Sequence, residues 1–426
     1  MPPQAVALVR RYYAYAGTYT LAASIIWGIN TLFLLEAGLS ISEVFIANSA
    51  FSVGTMLFEI PTGVVADTIG RRASFLFSLA VLALSTLAYV GLSIAGAGVV
   101  GFAVVSVFIG LGFTFYSGAV EAWLVDGVRE LGWNGDMDSV FGRAQVIGNT
   151  AMLVGTIAGG LLGQIDLALP FVVRAALLVA LFAMAWFGMH DVGFETRNLR
   201  PSEIPSEARI VAVDGVTHGW RNRPLRLVMV SSAVVNGVFF FAWYAWQPYF
   251  LELLERDIIW VAGVIAAALA LAMVAGNMLV GVFTRLCGRR TTLLLWSTAV
   301  FGVGSAVTGL ASSFALALGA FLVSAVAMGV FMPVKQAFVH EMVDTTKRAT
   351  VVSFDSMIGG MGAFGGQAGL GVLSERQGYS AAYVVGGLVT LAALPITWLA
   401  RSHDAPGDSF AAGHSADPSC TPQGVP

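Results

Sequence analysis

This chain has 426 residues, of which 57% are hydrophobic and only 11% charged, whereas soluble domains carry about 25% charged residues. With a mean hydropathy of +0.80, it must be solvated by lipid. The formal net charge of −3 leaves no basic excess for a phosphate backbone, which argues against a nucleic-acid partner.

A span needs about 20 apolar residues, and twelve can be placed in chain order. They lie near 13–36, 43–66, 73–95, 98–125, 140–163, 167–189, 227–252, 259–284, 291–311, 313–340, 350–373 and 379–400. Arg10 and Arg11 precede the first, which is too long for a cleaved leader and lacks a small-residue cleavage site, so it is expected to stay. Residues 1–12 form a short N-terminal segment. Between the sixth and seventh spans, residues 190–226 hold Pro201, Pro205, Pro224 and mixed charge. That composition cannot cross a bilayer and is expected to join two six-helix halves, with a short surface helix around Ser206–Val216. From 401 to 426 the chain is small, polar and proline-bearing, which predicts a disordered tail. Cys287 at a helix boundary and Cys420 in that tail imply neither a disulfide framework nor a metal site.

An even number of spans puts both termini on one side. Seventeen Lys and Arg residues fall in the loops and termini of that side, and Arg143 lies just inside a span at the same side, against only Arg256 and Arg376 opposite. The positive-inside rule therefore predicts two cytoplasmic termini in a cell-membrane protein.

The loop after the second span reads Gly63-Val64-Val65-Ala66-Asp67-Thr68-Ile69-Gly70-Arg71-Arg72. Its glycine and arginine pattern returns, 218 residues later, in Gly281-Val282-Phe283-Thr284-Arg285-Leu286-Cys287-Gly288-Arg289-Arg290. Asp126 and Asp344 keep the same offset. A register held over that length predicts two tandem, parallel halves. Gly63 is expected to allow close helix approach and Gly70 to break the chain, leaving Arg71 and Arg72 in water.

This loop resembles the signature of the major facilitator superfamily, a glycine, three residues, an aspartate, then Gly-Arg-Arg, with Thr68 where the family usually has arginine. The resemblance covers roughly residues 10 to 400. It implies an all-α membrane fold of twelve helices in two pseudo-symmetric bundles, working by alternating access. It further implies a gating role for Asp67, Arg71 and Asp126, with the aspartate beside the start of the eleventh helix and the arginine paired with the acid ending the fourth. Arg289 and Asp344 are the pseudo-equivalent group. Gly155-Thr156-Ile157-Ala158-Gly159-Gly160 partly matches a fifth-helix pattern associated with proton-coupled drug exporters, Thr156 standing in place of proline. Close helix packing explains the same glycines, and those of Gly359–Gly366, without any such role.

Ionisable groups inside a membrane are costly and therefore informative. Glu59, Gly63 and Asp67 share one face of the second helix, which the resemblance sets against Asp355 and the glycines of the eleventh. Glu59, Glu121 and Asp355 are the candidates for proton coupling, the alternative for Glu59 being a protonated or hydrogen-bonded structural lock. The 218 offset sets Lys335 level with Ser117, one turn from Glu121. A Glu121–Lys335 bridge could close an inner gate, or one of the two could bind substrate or a proton; Lys335 could equally snorkel to water. Further cavity candidates are Trp27, Asn30, Tyr116, Asn236, Trp243, Trp246, Gln247, Met328, Met332 and Gln336, while Arg174 is expected to pair or snorkel near the outer surface.

Scattered histidines and the absence of an ATP-binding loop speak against an enzyme or an ATP-driven pump. The expectation is a monomeric secondary transporter of a small molecule, with no cofactor or metal and with protons as the coupling ion. Export of an amphipathic molecule is favoured. The alternatives are proton-linked uptake of a polar nutrient, which predicts a more polar cavity with charged contacts, and a non-transporting sensor on the same fold.

Overall fold

Glycines and helix caps decide where the long apolar runs bend. The computed structural model describes residues 2–133, 135–193, 206, 209, 213, 215–255, 258–343, 348–403 and 405–410. The first half comprises α1 (Pro3–Ser24), α2 (Asn30–Glu36), α3 (Ile41–Ile69), α4 (Arg71–Ile94), α5 (Val99–Tyr116), α6 (Ala119–Glu130), α7 (Met137–Gly163) and α8 (Leu169–Gly188). The second comprises α9 (Arg223–Leu254), α10 (Ile259–Cys287), α11 (Arg290–Leu310), α12 (Phe314–Glu341), α13 (Arg348–Ala392) and α14 (Leu394–Arg401). No strand occurs among the described residues.

Twelve membrane crossings follow. Ten helical stretches among the described residues are long and apolar enough to span. One of them, Thr350–Arg401, has 52 residues, enough for two passes at about 1.5 Å per residue. Gly378, at φ +83°, turns it back on itself, so it counts twice. The remaining crossing is α1 with α2, which is broken between Ser24 and Asn30. The fourth crossing is also broken, by Gly118 at φ +74° between α5 and α6.

The tandem loops behave alike. Gly70 at φ +113° separates α3 from α4, and Gly288 at φ +65° ends α10 just before α11. Only glycine enters this region without strain. Ser40 starts α3 through a capping box, its hydroxyl accepting from the Glu43 N–H and its own N–H donating to the Glu43 carboxylate at 2.9 Å.

Small residues set the helix contacts. A methyl on Gly159 of α7 would overlap the Ile25 carbonyl of the first crossing, and Gly160 lies against Gly263 of α10. Gly362 and Gly366 of α13 lie against Ala233 and Gly237 of α9. Lipid gives helices no hydrophobic reason to associate, so close backbone contact supplies the attraction. Two seams join the halves, α3 on α13 and α7 on α10.

Two expectations are corrected here. Gly63 is exposed and a methyl on it would meet nothing within 4 Å, so its face of α3 is open rather than closely packed. Residues 405–410, expected in a disordered tail, instead dock on the start of α11. Asp408, only 3% exposed, accepts from the Thr291 N–H at 2.7 Å and the Thr291 hydroxyl at 2.8 Å. Arg290 donates to the carbonyls of Gly407 at 2.6 Å and Ser409 at 3.0 Å. An acid at a helix N-terminus satisfies free N–H groups and meets the positive end of the dipole. The expected surface helix at 206–216 lies largely outside the described residues; Gly215–Trp220 forms one π-helical turn.

Candidate functional site

The break in the first crossing frees backbone groups, and the second half satisfies them. Buried Gln247 of α9 accepts from the Thr31 N–H at 2.8 Å and donates to the Trp27 carbonyl at 2.9 Å. The Thr31 hydroxyl donates to the Tyr244 carbonyl at 2.9 Å. Glu375 after the eleventh crossing accepts from the Ser42 N–H at 2.8 Å and the Ser40 hydroxyl at 3.1 Å, and Gln164 accepts from the Trp260 N–H at 3.3 Å. These bonds join the halves on the face opposite the termini, here termed the distal face. Toward the other face α6 and α12 share no packed interface among the described residues.

Beneath this distal seal lies a cavity of about 300 Å³. Trp27, Asn30 and Trp243, three of the residues named from the sequence, line it, and the two indoles meet edge to face at 6.2 Å. Other expected residues sit elsewhere. Gln247 belongs to the seal. Tyr116 stacks on the cavity residue Tyr19 at 3.5 Å. Trp246 and Met328 are 1% and 0% exposed within the core of the second half, where their apolar surface is fully buried. Met332 packs against the same core, Gln336 is exposed, and Asn236 lies against Gly359.

Six polar cavity residues were missed as such: Tyr19, Asn48, Tyr89, Ser106, Arg174 and Tyr244. Asn48 accepts from the Asn30 amide at 2.9 Å. Arg174 lies in the second turn of α8 and, at 7% exposure, does not reach the outer surface. Its position inside an apolar span was the available signal; the face of α8 on which it lies was not.

Lys335 also departs from expectation. Its ammonium pairs with Asp355 of α13, not with Glu121, and the two side chains are 12% and 9% exposed. Pseudo-symmetry gives the depth of Lys335 but not which neighbour it turns toward. Glu121 is exposed in the first turn of α6. The seam runs antiparallel, Gly371 against Phe45 and Gly360 against Met56, which sets half-buried Glu59 at the level of Asp355.

The loop cluster forms within the first half. Arg71 pairs with Asp67 at 2.7 Å and lies 4.0 Å from Asp126. Arg72 fastens α4 to the end of α8: its guanidinium donates to the Trp186 carbonyl at 2.8 Å and lies over the Trp186 ring, and its N–H donates to Asp191 at 2.9 Å. Burial raises the Asp191 carboxyl above the usual carboxylate range, against the pull of that N–H and of both arginines. In the second half Arg289 stands at the residue just before α11; Asp344 lies outside the described residues.

Residues 14–261 and 256–419 match the family profile described as the Major Facilitator Superfamily. Solved structures with the same fold include the nucleoside transporter NupG, at TM-score 0.77 and 12% identity, covering 92% of this chain and 99% of that one. A POT family transporter in complex with a thioalcohol-conjugated peptide superposes at TM-score 0.70 and 11% identity, covering 93% and 96%. The human organic anion transporter MFSD10 (TETRAN) does so at TM-score 0.60 and 15% identity, covering 93% and 100%. No curated protein matches in sequence.

Proposed function

This chain belongs to the Major Facilitator Superfamily, and from that premise we propose that it is a proton-coupled secondary transporter that moves a small polar molecule by alternating access. The observation that carries this reading is the cavity under the distal seal, between halves that pack along two seams. Rocking about those seams would part the Gln247 bonds and close the opposite side. The Arg and Lys bias of the loops supports a cytoplasmic terminus face, and on that reading the described state faces the cytoplasm.

Protons couple through Asp355. Buried, paired only with Lys335 among the described residues and with Oδ1 lacking a partner, it can take a proton and release the lysine. Glu59 supplies a second carboxyl at the same level of the seam. The Arg71 cluster fastens the cytoplasmic ends of α3, α4 and α6 so that they move as one body.

Between export of an amphipathic molecule and uptake of a polar one, the cavity favours the second. Arg174, Asn30 and Asn48 are the specific polar contacts that a polar substrate requires. Proteoliposomes with a trapped pH dye, given pools of polar metabolites, should show proton movement with at least one pool, lost in Asp355→Asn. Silence across the pools, together with protonophore-sensitive exclusion of lipophilic cations from cells, would overturn polar uptake in favour of drug export.

A further inference from the structure

The cavity carries an excess of hydrogen-bond donors. Arg174 is 7% exposed and its Nε has no partner. Asn48 is 4% exposed; its carbonyl oxygen is used by Asn30, but its Nδ2 has no partner. Both residues line the same space, and no carboxylate lines it. The groups acting on Arg174 are the phenols of Tyr19, Tyr89 and Tyr244, which are neutral and bring hydroxyls rather than charge. An unpaired cation in a low-dielectric site is costly, as is each unmade buried donor. Lys335, by contrast, holds Asp355. Arg174 lacks an acid among the described residues, and it lines an open space.

We propose that Arg174 is the substrate anchor and that the substrate is a small organic monocarboxylate, a reading that rests on the transporter assignment above. A guanidinium meets a carboxylate with two parallel N–H bonds, and the free Asn48 N–H serves a further oxygen. The charge count selects one negative charge: a phosphate monoester would leave net negative charge beside a single arginine. The remaining walls, among them Phe51, Phe113, Phe240 and the two indoles, suit an aromatic or aliphatic body of the size that about 300 Å³ admits.

The test is thermal unfolding of the purified, detergent-solubilised full-length protein with benzoate, its neutral isostere benzamide, the cation benzylamine, and phenyl phosphate. Benzoate is expected to raise Tm in a saturable way, with benzamide and benzylamine inert and phenyl phosphate weaker. Arg174→Gln should weaken benzoate on the order of tenfold to hundredfold, the worth of a charge-assisted pair, and Arg174→Lys should retain part of it. Equal or better binding of benzamide or benzylamine overturns the proposal, as does wild-type benzoate affinity in Arg174→Gln. Should Arg174→Gln fail to fold, the wild-type series decides alone.

Counterflow in liposomes separates the two readings. Carboxylates that bind without exchanging sink the transporter reading and leave the anion site standing. A neutral solute exchanged equally by wild type and Arg174→Gln sinks the site and leaves the transporter.

Discussion

Removing one partner of the Lys335–Asp355 pair should cost far more than removing both. With side chains 12% and 9% exposed and Asp355 Oδ1 already lacking a partner, Lys335→Met leaves a carboxylate with no cation among the described residues. Breaking a buried pair in this way costs about 3–5 kcal/mol, and Asp355→Asn, which strands the ammonium, belongs to the same range. In the double variant neither charge remains, and the residual cost is one buried amide, about 1–3 kcal/mol. The cycle therefore predicts a coupling of at least ~3 kcal/mol between two singles that do not add. Equilibrium unfolding in mixed detergent micelles measures all four proteins. Single variants that each cost under about 1 kcal/mol, or costs that simply add, would show the pair to be solvated and remove the basis for treating Asp355 as a proton site.

Other perturbations test other parts. Gln247→Ala removes two bonds across the distal seal; labelling of an introduced Trp27→Cys by an impermeant maleimide from the distal side should rise about tenfold, the equivalent of one net bond. Gly159→Ala should cost about 1–3 kcal/mol because its methyl overlaps the Ile25 carbonyl. Gly63→Ala, with open space around it, should stay within about 0.5 kcal/mol in the same unfolding assay. Asp408→Ala should cost about 1–2 kcal/mol through loss of the α11 cap, and a chain truncated after residue 403 should lose at least as much.

The architecture was legible because membrane spans announce themselves by apolar length and the halves by a shared register. The offset that ties Gly70 to Gly288 predicted two joints, and both have positive φ. The site was legible in part. Trp27 and Trp243 reach the cavity, whereas Trp246, only three residues further along α9, faces the core. A rotation of that size lies within the uncertainty of reading a helix face from a run that is apolar all round. Arg174 and Lys335 failed differently. Sequence shows that a charge sits in a span, but whether it meets lipid surface, an acid or an open cavity depends on which helix packs beside it. The 218 offset supplied the depth of Lys335, and no periodicity points to Asp355, twenty residues on.

The clasp at residues 405–410 bears on how this chain is built. The carboxylate that caps α11 is encoded 117 residues after the threonine it holds, among the last described residues to leave the ribosome. Until Asp408 emerges, the first turn of α11 carries free N–H groups beside Arg290, and the helix must wait in the membrane without its cap. Completion of the second half thus waits for residues that follow its last crossing. A chain ending at His403 would hold all twelve crossings and still lack the contact that closes them.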